Sequence, residues 1–481
     1  MTHTYARRAI FLCRKMLCYG IGSTAYVDDF VRIAIVDADL IKRKKHRFPN
    51  LVCMKLSAFF RKGGHEVSLE VDLGKIHSYD RVYISKVFTD TEIPELQKEF
   101  EEFKKSTCRE DLKYQFGGTG FYFDKAPDLP YEIEHCSPDY DLYLDWINEV
   151  VERERKRCEE QGKTFDEVRF RSQFKEYTDY SIGFLTRGCF RKCPFCVNQK
   201  YSRVFRNSPL KEFLRKDKKK ICLLDDNFFG FGKDVDDNGV NHSQKGDPPA
   251  WKLLLQELKA TGLPFKFKQG LDERLLTREI CEELFASNYD GDYTFAFDKI
   301  SDYDVIHQKL EIIRSVPMAK KAAVRFYVLV GFAENEDGSY TVPGVDDIRN
   351  AFVRIELLQK YRCLPYIMRF QSKDDKPWRR SAYAKIYTEM ARWCNQPSFF
   401  KKKSFHEYCW ACEEYHRNHG GRADVGSTWR AYQDFARENP EIESKFFHLK
   451  FGQVEKLVGE PSFARELREK RERALHVKEA R

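Results

Sequence analysis

Short apolar runs and helical stretches alternate along the chain from residue 31. Val31–Val36 is a β-branched run, ended by Asp37 and followed by the basic stretch Lys42–Arg47. Leu51–Phe60 carries the apolar spacing of a helix, Gly63-Gly64 stops it, and His65–Val71 alternates with the period of a strand. Arg81–Phe88 reads as a further strand. Strand, helix, strand, strand at these lengths predict an α/β domain over 31–145 with an open, Rossmann-like sheet. The glycine cluster Phe116-Gly117-Gly118-Thr119-Gly120-Phe121 is not a GxGxxG and does not clearly open a helix, so a tight turn is expected there. Residues 142–177 are helical and densely charged, and 146–179 is expected to be a connector with a solvated face.

Beyond it, six strand candidates alternate with helical stretches: Ser181–Thr186, Lys220–Leu224, Phe265–Lys268, Tyr293–Phe297, Val324–Val330 and Pro365–Phe370. This order predicts a parallel sheet over 180–372, curling into a partial (β/α) barrel with ligands at the carboxyl ends of its strands. Residues 373–481 read as a charged helical region whose last dozen residues form a frayed helical end. The first thirty residues are basic, with no acid before Asp28, but charge splits their apolar pieces. They are expected to be an extension rather than a transit peptide.

Composition narrows the class. The chain has 481 residues, 42% of them apolar, with 39 Phe and 25 Tyr, enough buried surface to exclude a disordered or fibrous protein. No apolar run approaches the roughly 20 residues of a membrane helix, so no membrane partner is expected. The 15 cysteines are odd in number and no secretory signal precedes them. They predict a reducing, cytoplasmic setting with mostly buried thiols.

Three cysteines stand apart. Arg187-Gly188-Cys189-Phe190-Arg191-Lys192-Cys193-Pro194-Phe195-Cys196 has the spacing C-x3-C-x2-C, directly after the first barrel strand. Three thiolates on one loop suit three irons of a [4Fe–4S] cluster, and soft sulfur ligands select iron–sulfur or zinc. A structural zinc normally needs four protein ligands, and no fourth Cys or His lies close by in sequence. Arg187, Arg191 and Lys192 favour deprotonated sulfur.

Cys189, Cys193, the aromatic Phe195 and Cys196 resemble the signature of the radical S-adenosylmethionine (SAM) superfamily, and the flanking residues resemble members with a cobalamin-binding-like domain in front. The resemblance covers about residues 31–372. It implies a radical SAM barrel whose three cysteines hold a [4Fe–4S] cluster, with SAM on the fourth iron. It also implies reductive cleavage of SAM to a 5′-deoxyadenosyl radical that abstracts hydrogen from an unknown substrate, with a flavodoxin- or ferredoxin-like protein as one-electron reductant. Phe195 is then expected near the adenine. Asp225, Asp226 and Asn227 stand where the superfamily holds the SAM amino group, in place of its usual Gly-Gly-Glu; an ordinary Asx turn is the competing expectation. Gln269 falls in a substrate-side loop and Asp298 at a ribose or amino-acid contact. Gly331 matches a fifth-strand glycine beside the adenine, and Met368 lies on the sixth strand near the base. A core or turn role competes at each of these four.

The first domain departs from the cobalamin pattern. Asp37-Ala38-Asp39-Leu40 lacks the histidine that such domains present to cobalt, and His46 in the basic stretch is expected to be solvated. Cobalamin, if held, would have its nucleotide tail near Gly117-Gly118; methyl transfer with that cofactor is the alternative reaction. Cys394, Cys409 and Cys412 are expected in the core, with Tyr408, Cys412 and Tyr415 on one apolar helix face. Asp234–Gly239 imitates a calcium loop but has Lys245 where the bidentate acid belongs. Basic clusters at Lys42–Arg47, Arg215–Lys220 and Lys401–Lys403, with Trp378-Arg379-Arg380, leave nucleic acid open as a partner if the fold gathers them on one face. The rival from another class is a zinc-stapled nucleic-acid-binding protein without catalysis.

Overall fold

The computed structural model describes residues 30–232, 248–320, 322–333, 339–372, 375–419 and 427–453. The extension before residue 30, the calcium-loop imitation at 234–239 and the frayed end all fall outside these residues. The chain divides into two compact units, one ending at Lys268 and the other starting at Gln269. The division falls within the span expected to be one barrel.

The first unit opens with strands β1 (Arg32–Asp37), β2 (Glu66–Leu69), β3 (Arg81–Ser85) and β4 (Tyr114–Gly117). They form one sheet in the order β2-β1-β3-β4, every neighbouring pair parallel. Such a sheet is buried on both faces, which explains why β1 is apolar throughout rather than alternating. Ile33 and Ile35 join a core with Met54 and Phe60 of the helix Leu51–Lys62, whereas Ala34 and Val36 pack with Val82, Ile84 and Phe116. Asn50 caps that helix by accepting from Val52 N and Cys53 N.

Two expectations change here. The glycine cluster is the end of a fourth parallel strand followed by a short helix, Thr119–Tyr122, rather than an isolated turn. The expected connector is part of the core: Ile147 and Val151 of the helix Leu144–Glu160, with Phe174 and Tyr177, pack in the same cluster as Ile33 and Ile35. Its many charges mask a narrow apolar stripe, since only two residues of that helix are buried.

The first unit also holds β5 (Tyr180–Gly183), β6 (Thr186–Arg187), β7 (Phe205–Arg206), β8 (Lys220–Leu223) and β9 (Phe265–Phe267). β5, β8 and β9 form a parallel sheet in that order. The second unit is built on β10 (Tyr293–Ala296), β11 (Val324–Val330) and β12 (Leu364–Arg369), again parallel and in that order. All six expected strands are therefore present, as two three-stranded sheets. Helices dominate after β12, among them Ala384–Cys394, Phe405–Asn418 and Thr428–Glu438. On the second of these the buried residues are Phe405, Tyr408 and Cys409, while Tyr415, expected on that face, is exposed.

Candidate functional site

The three cysteines sit on a loop that is closed at its base. β6 and β7 pair antiparallel, Thr186 with Arg206 and Arg187 with Phe205, and so bring the two ends of 188–204 together. Gly188 starts the loop with φ +87°, and a Cβ there would lie 2.2 Å from the Arg203 carbonyl oxygen. Only glycine fits that crossing. Inside the loop Lys192 Nζ donates to the carbonyls of Gln199 (2.7 Å) and Tyr201 (3.0 Å), and Gln199 Nε2 donates to Cys193 O at 2.8 Å.

The residues after β8 hold this loop from below. Asp225 is buried and accepts from Leu185 N (3.1 Å), Thr186 N (2.6 Å) and Thr186 Oγ1 (2.6 Å). Burial pushes its carboxyl up to about 7, against the pull of these donors. Asp226 accepts from Gly188 N through Oδ2 and from Asn198 Nδ2 through Oδ1, both at 2.8 Å. Burial also raises its pKa, and the Arg187 charge opposes the rise. Asn227 Nδ2 donates to Cys189 Sγ at 3.3 Å. The Asx turn expected for this triplet is replaced by ties between strand ends about 40 positions apart in sequence. The carboxylate oxygens of Asp225 and Asp226, expected to meet an ammonium, accept from the loop and its base instead.

All three cysteines are half-buried and free of disulfides. Besides Asn227, backbone N–H groups of Arg191 and Asn198 donate to Cys189 Sγ and Cys196 Sγ, each at 3.4 Å. The Cys196 thiol is pushed up to about 11, chiefly by burial, with Cys193 and Cys189 near enough to add to the rise. Among the described residues no three or more His, Cys, Asp or Glu side chains converge as a single metal ion requires. A zinc ion draws its thiolates to one centre about 2.3 Å away. A four-iron cluster attaches each thiolate to a different iron, so its ligands stand further apart. Three soft donors, with N–H groups aimed at two of the sulfurs, fit the ligand set of such a cluster.

A second layer escaped the sequence reading. The stretch 126–134 straps the loop: Lys200 Nζ donates to Asp128 Oδ2 at 2.6 Å, and Tyr201 hydroxyl donates to the same carboxylate. Glu134 accepts from Lys55 Nζ at 2.9 Å and from Asn207 Nδ2 at 3.1 Å, with Arg187 3.7 Å away. Lys55 lies buried on the helix beside the first sheet, so charges of alternating sign run from that helix through half-buried Glu134 and Arg187 to the cysteine loop. These partners are more than fifty residues apart in sequence and share no local pattern.

The remaining expected site residues are placed as follows. Phe195 is half-buried on the loop, and Gln269 is exposed. Asp298, after β10, accepts from Leu329 N at 3.2 Å and lies beside Arg354; burial lifts its carboxyl to about 6. Gly331 follows β11 with φ +75°, and the group in close approach is Trp378, whose Cβ would lie 2.6 Å from an added Cβ. Met368 lies exposed on β12.

At the end of the first sheet Gly118 and Gly120 are closed, whereas Gly117 faces open space. The glycines after β4 face their own chain: a Cβ on Gly118 would lie 2.3 Å from Lys86 O, and one on Gly120 2.7 Å from Lys86 Cγ. The Lys86 side chain folds over Phe121 and donates to Thr91 O. At the end of β1, Asp39 is buried and accepts from Val87 N at 2.7 Å. His46, expected in solvent, is half-buried and edge-on to Phe88. No step is assigned to cobalamin.

Among the described residues no helix is long and apolar enough to cross a membrane. No family model matches the chain, and no curated protein does. Among solved structures it is similar to the cobalamin-dependent S-adenosylmethionine radical enzyme OxsB with aqua-cobalamin and S-adenosylmethionine bound, at 12% identity and a TM-score of 0.39, over 86% of this chain and 72% of that one. OxsB with aqua-cobalamin bound gives 12% identity and a TM-score of 0.31, over 94% of this chain and 63% of that one. Likenesses this distant carry no weight for fold or function, and the functional reading rests on the cysteine loop itself.

Proposed function

We propose that the chain is a radical SAM enzyme in which Cys189, Cys193 and Cys196 hold a [4Fe–4S] cluster. The observation that carries the reading is the C-x3-C-x2-C loop, closed by β6 and β7 and tied by Asp225, Asp226 and Asn227 to the end of a parallel strand. When bound, such a cluster supplies the electron that cleaves SAM to methionine and a 5′-deoxyadenosyl radical able to abstract hydrogen from a substrate. The chain's own residues prepare the place. Asp225 and Asp226 fix the loop backbone, Asn227 and two backbone N–H groups donate to sulfur, and half-burial limits water around it. Phe195 remains the proposed adenine neighbour, with Gln269, Asp298, Gly331 and Met368 the proposed outer contacts of SAM and substrate. A one-electron protein reductant completes the system.

Anaerobic reconstitution with iron and sulfide tests the proposal. A brown protein should form and release 5′-deoxyadenosine from SAM and dithionite, and Cys193→Ala should lose both properties. One tightly bound zinc with no visible chromophore would overturn it.

A further inference from the structure

The basic residues outside the cysteine loop looked scattered in sequence, but the second unit draws several together. Arg369 ends β12, and its guanidinium lies 4.5 Å from the centre of the Trp378 ring. Arg379 lies 5.5 Å from the centre of the same ring. Arg392, on the helix Ala384–Cys394, is close enough that it and Arg379 both lower the Arg369 pKa, after the larger effect of burial. Lys385 stands on the same helix.

Among the described residues, the neighbouring carboxylates are already paired with other cations. The buried Glu389 takes Lys385 Nζ at 3.0 Å and Arg392 at 2.9 Å, and it also accepts from Tyr408 hydroxyl at 3.0 Å. Asp375 is paired with Arg380 at 2.8 Å. Among the described residues neither Arg369 nor Arg379 has a carboxylate within ion-pairing distance; Arg369 makes a 3.3 Å bond to Thr388 Oγ1. Arg369 and Arg379 are exposed residues, the Arg369 guanidinium being partly covered, while the indole behind them is buried. The ring therefore backs the two forks and is not itself a stacking platform for a base.

We propose that Arg369 and Arg379, held over the Trp378 ring, form a binding site for a phosphate-bearing ligand. Like charges gathered on one ring repel until an anion arrives, and planar guanidiniums offer paired N–H donors that match phosphate oxygens. The site lies at the carboxyl end of a parallel strand, where α/β sheets receive ligands. Because the indole is covered, no base stacks on it, and contact with a nucleic acid runs through the guanidiniums to its phosphates. A small phosphorylated compound shares this chemistry.

Fluorescence anisotropy of the full chain with a labelled single-stranded oligonucleotide tests the site, with a nucleoside triphosphate as the second probe. Arg379→Glu should weaken binding about tenfold and reduce the slope of log K against log salt by about one. Arg379→Lys, keeping the charge without the fork, should fall between. Oligonucleotide binding identifies a nucleic-acid source. Binding of the triphosphate alone, still dependent on Arg379, identifies a small phosphorylated ligand. The site is overturned if neither probe binds, or if Arg369→Gln/Arg379→Glu binds as tightly as the parent. No cluster is needed for this measurement, so its failure leaves the radical SAM reading standing, and the reverse holds too.

Discussion

Two strand ends in the first unit point their carboxyl termini at loops and use their polar groups in opposite ways. After β8, Asp225, Asp226 and Asn227 turn outward to the cysteine loop and hold it from about 40 residues away. After β3 and β4, Lys86, Gly118 and Gly120 close on one another and fill the place where a ligand would enter. Both ends occupy the position at which parallel sheets bind ligands. The comparison teaches that strand-end position offers a site, and that the polar groups decide whether it opens or seals.

Substitutions can break that comparison. The largest effect is expected from Asp225→Ala, which strands three buried donors, costs about 2–4 kcal/mol and abolishes cluster uptake. Thermal melting and iron content report it, and a variant that melts and fills like the parent would show that the strand end does not hold the loop. Gly118→Ala should cost about 1–3 kcal/mol, because a Cβ must enter a left-handed backbone against Lys86 O. Its cluster content should not change; parallel losses of stability and iron would merge the two strand ends into one.

The pH dependence sharpens the sealed end. Asp37 is buried under Tyr143, and burial lifts its carboxyl from 3.8 to about 7. The folded chain keeps this proton while the unfolded chain releases it. The stabilising contribution is therefore complete below about 3.8 and lost as pH rises to about 7. Asp37→Asn should flatten part of that decline in urea melts taken from pH 4 to 7; an unchanged slope would remove Asp37 from the account. The smallest effect is expected from Asn227→Leu, which deletes one N–H donor to Cys189. The cluster potential should become more negative in a redox titration, and an unmoved potential would make that contact incidental.

Much of this architecture is legible in local pattern. β11 matches its expected span and the other five expected strands overlap theirs, because β5 is a short apolar run buried throughout while β11 alternates with the period of a strand. β4 was hidden because Gly117 and Gly118 read as a turn when taken alone. The cysteine spacing is legible because its three residues are neighbours in sequence. The roles of Asp225, Glu134 and Arg369 were not, because their partners lie far along the chain and charge carries no period. Trp378 shows the limit well: beside Arg379 it suggested an aromatic for nucleic acid, yet the fold buries it against Gly331.

The two-residue ladder between β6 and β7 has a consequence for assembly. It brings both ends of 188–204 together through the chain's own backbone, so part of the entropy of closing that loop is met by the ladder and not by the cysteines. A small zinc module, by contrast, closes its loop through the metal itself. Breaking the ladder would therefore loosen the spacing of the three cysteines without touching any of them.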